Sequence, residues 1–179
     1  MIEISLYGRG GLGVVAAGEL LVKTAVKGGI YAQSIPFFGG ERRGAPVRSG
    51  VRISDKPIYM HESIFNADIV AVFDVSLLGS INLSMLKENG SLVVNATSIQ
   101  KLAKNTYSID ATSIAKSLNL VIAGWPLVNT AMIGAIAKIS GIVSVDDLKE
   151  VVREQFSGSR SELNANAIEM GAREVKKIE

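Results

Sequence analysis

No cysteine occurs in this 179-residue chain, and there is a single histidine, His61. The first absence excludes a disulfide framework, a thiolate zinc site and any cysteine-ligated iron–sulfur cluster on this chain. The second excludes a histidine-rich metal site or a histidine pair. Aromatic residues are few, at 6%, so each one is conspicuous. No apolar run approaches the ~20 residues that span a bilayer, which predicts no membrane segment. Met1-Ile2-Glu3-Ile4 leads straight into a strand pattern with no basic region before it, so no signal peptide and a cytoplasmic location are expected. A dominant charge is missing too. Nineteen basic against seventeen acidic residues leave a net charge of +2, too little to imply binding to nucleic acid or a membrane surface.

What is present is an ordinary globular mixture, 47% hydrophobic and 20% charged, without internal repeats or low-complexity stretches. The length suits one domain over residues 1–179. Ile2 to Tyr7 reads as a strand. It is stopped by Gly8-Arg9-Gly10-Gly11-Leu12-Gly13 and followed by a mostly apolar helix with a narrow polar stripe of Glu19, Lys23 and Lys27. Gly28-Gly29 ends that helix. Ile30 to Ile35 predicts a second strand ended by Pro36. Val47 to Ile53 alternates as a strand with one polar face, and Asp55-Lys56-Pro57 suggests a hairpin with Ile58 to His61.

From Asp68 to Asp74 an apolar run between carboxylates predicts a strand buried on both faces. Leu77 to Lys87 is a helix candidate, Ser91 to Asn95 and Tyr107 to Ile109 are strands, and Asp110 to Leu118 is a short helix. Leu120 to Ala123 is the last strand candidate. Asn129 to Ser140 is an apolar helix rich in small residues. Its Ala131, Gly134 and Ala135 suggest a face that awaits a partner. Ser144-Val145-Asp146-Asp147 caps a further helix, and Ser161 to Lys177 is a final, charged one. The fold class expected is α/β: a three-layer sandwich with a mostly parallel sheet, a Rossmann-like start, an antiparallel hairpin insertion and C-terminal helices.

Two loops carry chemistry. Gly8-x-Gly10-x-x-Gly13 follows a strand and opens a helix, the setting in which backbone N–H groups and the helix dipole favour an anion. The same turn is equally well a strand–helix connection that meets no ligand. A nicotinamide nucleotide is disfavoured. It wants a carboxylate roughly 20 residues beyond the glycines, and that count lands near Gln33. The second loop, Phe37 to Pro46, gathers Arg42 and Arg43 with glycines and aromatics. Its arginines suit a bidentate clamp on phosphate or carboxylate, and the same composition suits a protein–protein interface. His61 reads as a surface or hydrogen-bonded histidine rather than a catalytic one. Asp74, at the end of a buried strand, stands where α/β ligand sites form or else caps the next helix. Asn129 reads as a cap or a satisfied polar group rather than a ligand contact. No general acid–base pair is evident.

Gly8 to Gly13 after a first strand, Gln33-Ser34-Ile35-Pro36, and Phe38-Gly39-Gly40-Glu41-Arg42-Arg43-Gly44-Ala45-Pro46-Val47 together resemble the gamma subunit of pyruvate and other 2-oxoacid:ferredoxin oxidoreductases. Val51-Arg52-Ile53-Ser54, Asp68-Ile69-Val70 and the Asn129 to Gly134 segment fit as well. The resemblance covers essentially the whole chain. It implies a subunit, inactive alone, of a complex that converts a 2-oxoacid, pyruvate first, and CoA to acyl-CoA, carbon dioxide and reduced ferredoxin. Thiamine diphosphate, Mg2+ and [4Fe-4S] clusters are then expected on sister alpha, beta and delta subunits, since this chain has neither the cysteines nor a Gly-Asp-Gly metal–diphosphate signature. For this chain the resemblance implies assembly and a share of the CoA site, with Gly8, Arg9, Gly10, Gly11, Gly13, Arg42 and Arg43 toward its phosphates, no catalytic residue and no metal. A freestanding nucleotide-binding module and a structural subunit that meets no ligand are the alternatives.

Overall fold

The structure, a computed structural model, describes residues 1–37 and 43–179. Strand β1 (Ile2–Arg9) feeds helix α1 (Val14–Lys27) through the glycine loop. Strands β2 (Tyr31–Phe37), β3 (Pro46–Ser54) and β4 (Ala67–Val72) follow. After two 3-10 turns come β5 (Leu86–Asn95), β6 (Asn105–Ile109), helix α2 (Ala111–Ser117) and a small hairpin of β7 (Val121–Ile122) with β8 (Trp125–Pro126). Helices α3 (Asn129–Ser140), α4 (Val145–Gln155) and α5 (Ser159–Glu174) and strand β9 (Lys176–Ile178) complete the chain.

The main sheet runs β2-β3-β1-β4-β5-β6-β9. Its centre is parallel, with β4 between β1 and β5, and β6 beyond. Antiparallel pairings flank it, β2–β3–β1 on one side and β6–β9 on the other. Strands buried on both faces need apolar side chains in both directions. In β4, Ile69 and Ala71 join the core under the helices, whereas Val70 and Val72 join a smaller cluster on the opposite face with Leu92 and Val94. That smaller cluster is roofed by the 3-10 turns Val75–Ser80 and Leu83–Met85, which form the thin third layer of the sandwich.

Several local expectations change. Leu77 to Lys87 is not one helix, because Asp74 and Asn82 accept from the backbone N–H groups of Ser76 and Ser84 and favour separate turns. Pro36 does not end β2. It lies inside an edge strand of the described sheet, the position in which a sheet tolerates proline. The hairpin is β2 with β3; since β3 is paired on both edges, residues 58–61 have no edge to join. Nor is one face of β3 solvated. Arg52 is 1% exposed, its Nε donating to Glu3 Oε1 at 2.9 Å. Val121–Ile122 pairs with Trp125–Pro126 in a separate two-stranded sheet, outside the main one. The final helix stops at Glu174, and Lys176–Ile178 pairs with β6.

The polar stripe of α1 points to α4: Lys27 meets Glu150 and Glu154, and Lys23 donates to Gln155. The small face of α3 is covered from within the chain. A Cβ on Gly134 would lie 2.2 Å from the Ile168 carbonyl oxygen of α5, and one on Gly171 would lie 2.0 Å from that of Ala131. This contact replaces the external partner suggested by the small residues. Ser144 caps α4 as expected, accepting from the Asp147 N–H at 3.0 Å.

Candidate functional site

Ligands of open α/β sheets bind outside the carboxyl ends of the strands where the chain order reverses. Here that place lies between β1, whose connection runs through α1 to the β2 edge, and β4 on its other side. The glycine loop stands at the end of β1. The four loop glycines divide their duties. A Cβ on Gly8 would meet Val14 at 2.5 Å and Phe73 at 3.0 Å, and one on Gly13 would meet the Asn129 side chain at 2.7 Å. These two close the turn against the protein itself. Gly10 is held by backbone bonds, donating to Ala45 O at 2.8 Å and accepting from the Gly44 N–H at 3.0 Å. Gly11, at φ +101°, faces outward, and its nearest neighbours at a Cβ position are Arg43 at 3.8 Å and Trp125 at 3.9 Å.

The fold therefore brings Arg43 to the glycine loop across more than thirty residues of sequence, and leaves it exposed. Arg42 lies outside the described residues. Arg9 turns elsewhere: its Nε donates to Asp74 Oδ2 at 2.7 Å, and its terminal nitrogens to Gly44 O at 3.0 Å and Ser76 Oγ at 2.8 Å. Asp74 thus caps the turn that follows β4 and pins the loop rim. Burial pushes its carboxyl up, but hydrogen bonds from Ser76 and the Arg9 guanidinium outweigh that and hold it below the ordinary value. The N-cap of α1 is Gly13, which has no side chain to cap the first-turn N–H groups, and N–H groups at a helix start favour an anion.

Beside the loop is a cavity of about 240 Å³, lined by Leu12, Phe73, Asp74, Asn95, Thr112 and Trp125 among others. Asn95 is fixed there, its amide donating to Phe73 O at 2.9 Å and to Thr112 Oγ1 at 3.0 Å. Trp125 and Asn95 belong to no sequence motif. The isolated indole at a Gly–Trp–Pro turn is the one signal available for either. His61 stands apart from this site, its Nδ1 3.1 Å from Gln33 Nε2 on the surface. Asn129 is buried at the start of α3, its Oδ1 without a hydrogen-bond partner. A second cavity, of about 340 Å³, lies on the other side of the rim. There Arg48 rests over the rings of Tyr7 and Phe37 at 5.4 and 5.0 Å from their centroids.

Among the described residues no group of three or more His, Cys, Asp or Glu could hold a metal ion, and no helix is long and apolar enough to cross a membrane. The donor set here does not fit a diphosphate-bound metal or an iron–sulfur cluster. What it can do is hold an anion at backbone N–H groups and Arg43, next to an aromatic wall.

The family model for pyruvate ferredoxin/flavodoxin oxidoreductase matches residues 3–174. The chain is 45% identical to pyruvate synthase subunit PorC of Methanocaldococcus jannaschii, over 99% of this chain and 98% of that protein. It is 44% identical to the common gamma subunit of the pyruvate/ketoisovalerate oxidoreductases of Thermococcus kodakarensis, over 94% of each. The crystal structure of a pyruvate oxidoreductase subunit from Thermotoga maritima superimposes with a TM-score of 0.85 at 30% identity, covering 99% of this chain and 98% of that one.

Proposed function

The chain belongs to the pyruvate ferredoxin/flavodoxin oxidoreductase family, and from that membership we propose that it is the gamma subunit of a cytoplasmic 2-oxoacid:ferredoxin oxidoreductase, holding part of the CoA site. The complex would join a 2-oxoacid and CoA to give acyl-CoA and carbon dioxide, passing two electrons to ferredoxin. Thiamine diphosphate, Mg2+ and [4Fe-4S] clusters would reside on alpha, beta and delta partners, because this sequence has no cysteine to ligate a cluster. Pyruvate is the substrate we favour. The name of the Thermococcus relative, a gamma subunit common to two oxidoreductases, supports placing substrate choice on other chains.

The observation that carries the CoA assignment is the meeting of Arg43 with the outward-facing Gly11 beside a helix start whose N-cap is a glycine. CoA offers a pyrophosphate and a 3′-phosphate, which suit backbone N–H groups and a guanidinium respectively. Arg9, already paired with Asp74, would serve by holding the rim in place. Gly8 and Gly13 would keep the turn tight, and Gly10 would tie it to residues 44–45.

Replacing Arg43 by Ala in the reconstituted complex tests this. Loss of one charge-assisted contact is worth ~1.5–3 kcal/mol, so the KM for CoA should rise roughly tenfold to a hundredfold with that for the 2-oxoacid nearly unchanged. Size exclusion establishes first that the variant complex assembles. An intact complex with wild-type CoA dependence would overturn the assignment.

A further inference from the structure

Resting on the CoA assignment, we propose that Trp125 sets the specificity of this site for the adenine end of the ligand, by stacking on the base. The residue reaches the site by an unusual route. It begins the second strand of a hairpin that contributes nothing to the main sheet. The two-residue turn of that hairpin holds Ala123 at φ +49° and Gly124 at φ +83°, a pair of left-handed residues as a tight hairpin turn requires. Alanine in that region is strained, and such strain persists where the surroundings impose it.

The hairpin sets the indole against both functional loops at once. Trp125 lies 3.9 Å from where a Gly11 Cβ would be and 3.8 Å from that position on Gly44. It is half-buried and lines the 240 Å³ cavity together with the apolar Leu12, Phe73, Val75 and Pro126. That volume equals about eight waters at ~30 Å³ each, too small for a whole cofactor and suited to a single ring system. Asp74, Asn95 and Thr112 add a polar part to its lining, where Asn95 is held by Phe73 O and Thr112 and Asp74 by Arg9 and Ser76. Arg43 and Trp125 flank the same glycine. A phosphate on one and a base on the other would be joined through a ribose, the connection within a 3′-phosphoadenosine group. The pantetheine arm has no flat π surface and would gain little from an indole.

The 179-residue chain has one tryptophan, so its fluorescence reports on this residue alone. Adenosine 3′,5′-bisphosphate should quench it, and pantethine at the same concentration should not. Stacking on an aromatic is worth enough for its removal to weaken binding on the order of tenfold. In the reconstituted complex Trp125→Leu should accordingly raise the KM for CoA about tenfold and leave the KM for pantetheine as acceptor unchanged, while Trp125→Phe restores most of the loss. Equal quenching by both probes, or a rise in both KM values together, would overturn the stacking role and make Trp125 a packing strut. If Trp125→Leu does not fold by circular dichroism, the quenching comparison and Trp125→Phe decide alone. If the bisphosphate binds with Arg43-dependent affinity but no quenching, the CoA assignment stands and the stacking role falls. If neither the bisphosphate nor CoA binding responds to Arg43, the CoA assignment fails and the stacking role with it.

Discussion

Gly134 and Gly171, on α3 and α5, each have a backbone carbonyl of the other helix where a side chain would begin. Gly11 and Gly44, on the loop rims, have nothing closer than 3.8 Å at the same position. One pair is glycine because the space is filled, the other because the backbone is left-handed, at φ +101° and +84°. The difference separates scaffold from site. Where glycine excludes all substituents, two helices are locked together. Where it only frees a dihedral, the surface beside it stays open to a ligand.

Gly171→Ala offers the largest test of that distinction. Alanine favours a helix over glycine by up to ~1 kcal/mol, but a methyl group 2.0 Å from the Ala131 oxygen forces α3 and α5 apart. We expect a net loss of about 2–3 kcal/mol, read by urea unfolding. A stabilised variant would show that the helix contact yields easily and would erase the contrast. Gly13→Ala comes next, since Gly13 combines both conditions: φ +78° and the Asn129 side chain at 2.7 Å. Its cost should be about 2 kcal/mol and should fall by roughly half in the Gly13→Ala/Asn129→Ala double variant, leaving the dihedral penalty. Equal costs in the two backgrounds would mean that Asn129 does not fill the turn.

The smallest effect concerns the rim. Asp74 is lowered in the folded protein, so its pairing contributes stability above the ordinary carboxylate value of about 3.9 and loses it as pH falls through the lower folded value. With both partners about a quarter exposed, the contribution should stay below ~1 kcal/mol. Asp74→Asn should remove that pH-dependent component from unfolding measured below pH 5. Unchanged acid dependence would leave the Arg9 latch without energetic weight.

Much of the fold is legible in the sequence. Long elements with a clear period lie where expected: the β1–loop–α1 unit, the buried β4 run, and α3 and α4 with the Ser144 cap. Elements decided by partners do not. Lys176–Ile178 is too short to show a period and is a strand only because β6 has a free edge. Arg52 looks solvated in the sequence because its counter-ion, Glu3, is 49 residues away. The glycine-containing α3 looks like a docking face because its cover, α5, comes some thirty residues later. Of the candidate site, the glycine loop is visible as a motif and Arg43 as a charge, but only the fold places them together. Arg9 reads as a free cation, and Asp74 takes it up from 65 residues away.

The ladder between β1 and β4 has a consequence for the order in which this molecule is made. Its residues are some 65 positions apart, whereas β1, α1, β2 and β3 lie within the first 54 residues and β4, β5 and β6 within the next 55. Both neighbours of β1 are distant in sequence, β3 from Arg9↔Pro46 to Ile2↔Ile53 and β4 at Ile4↔Ile69, so the middle of the sheet is assembled from non-local pairings, the entropically slow kind. The glycine loop belongs to the first of these segments and Asp74 to the second. The rim that joins them cannot exist in either segment alone, so its completion would mark the union of the two.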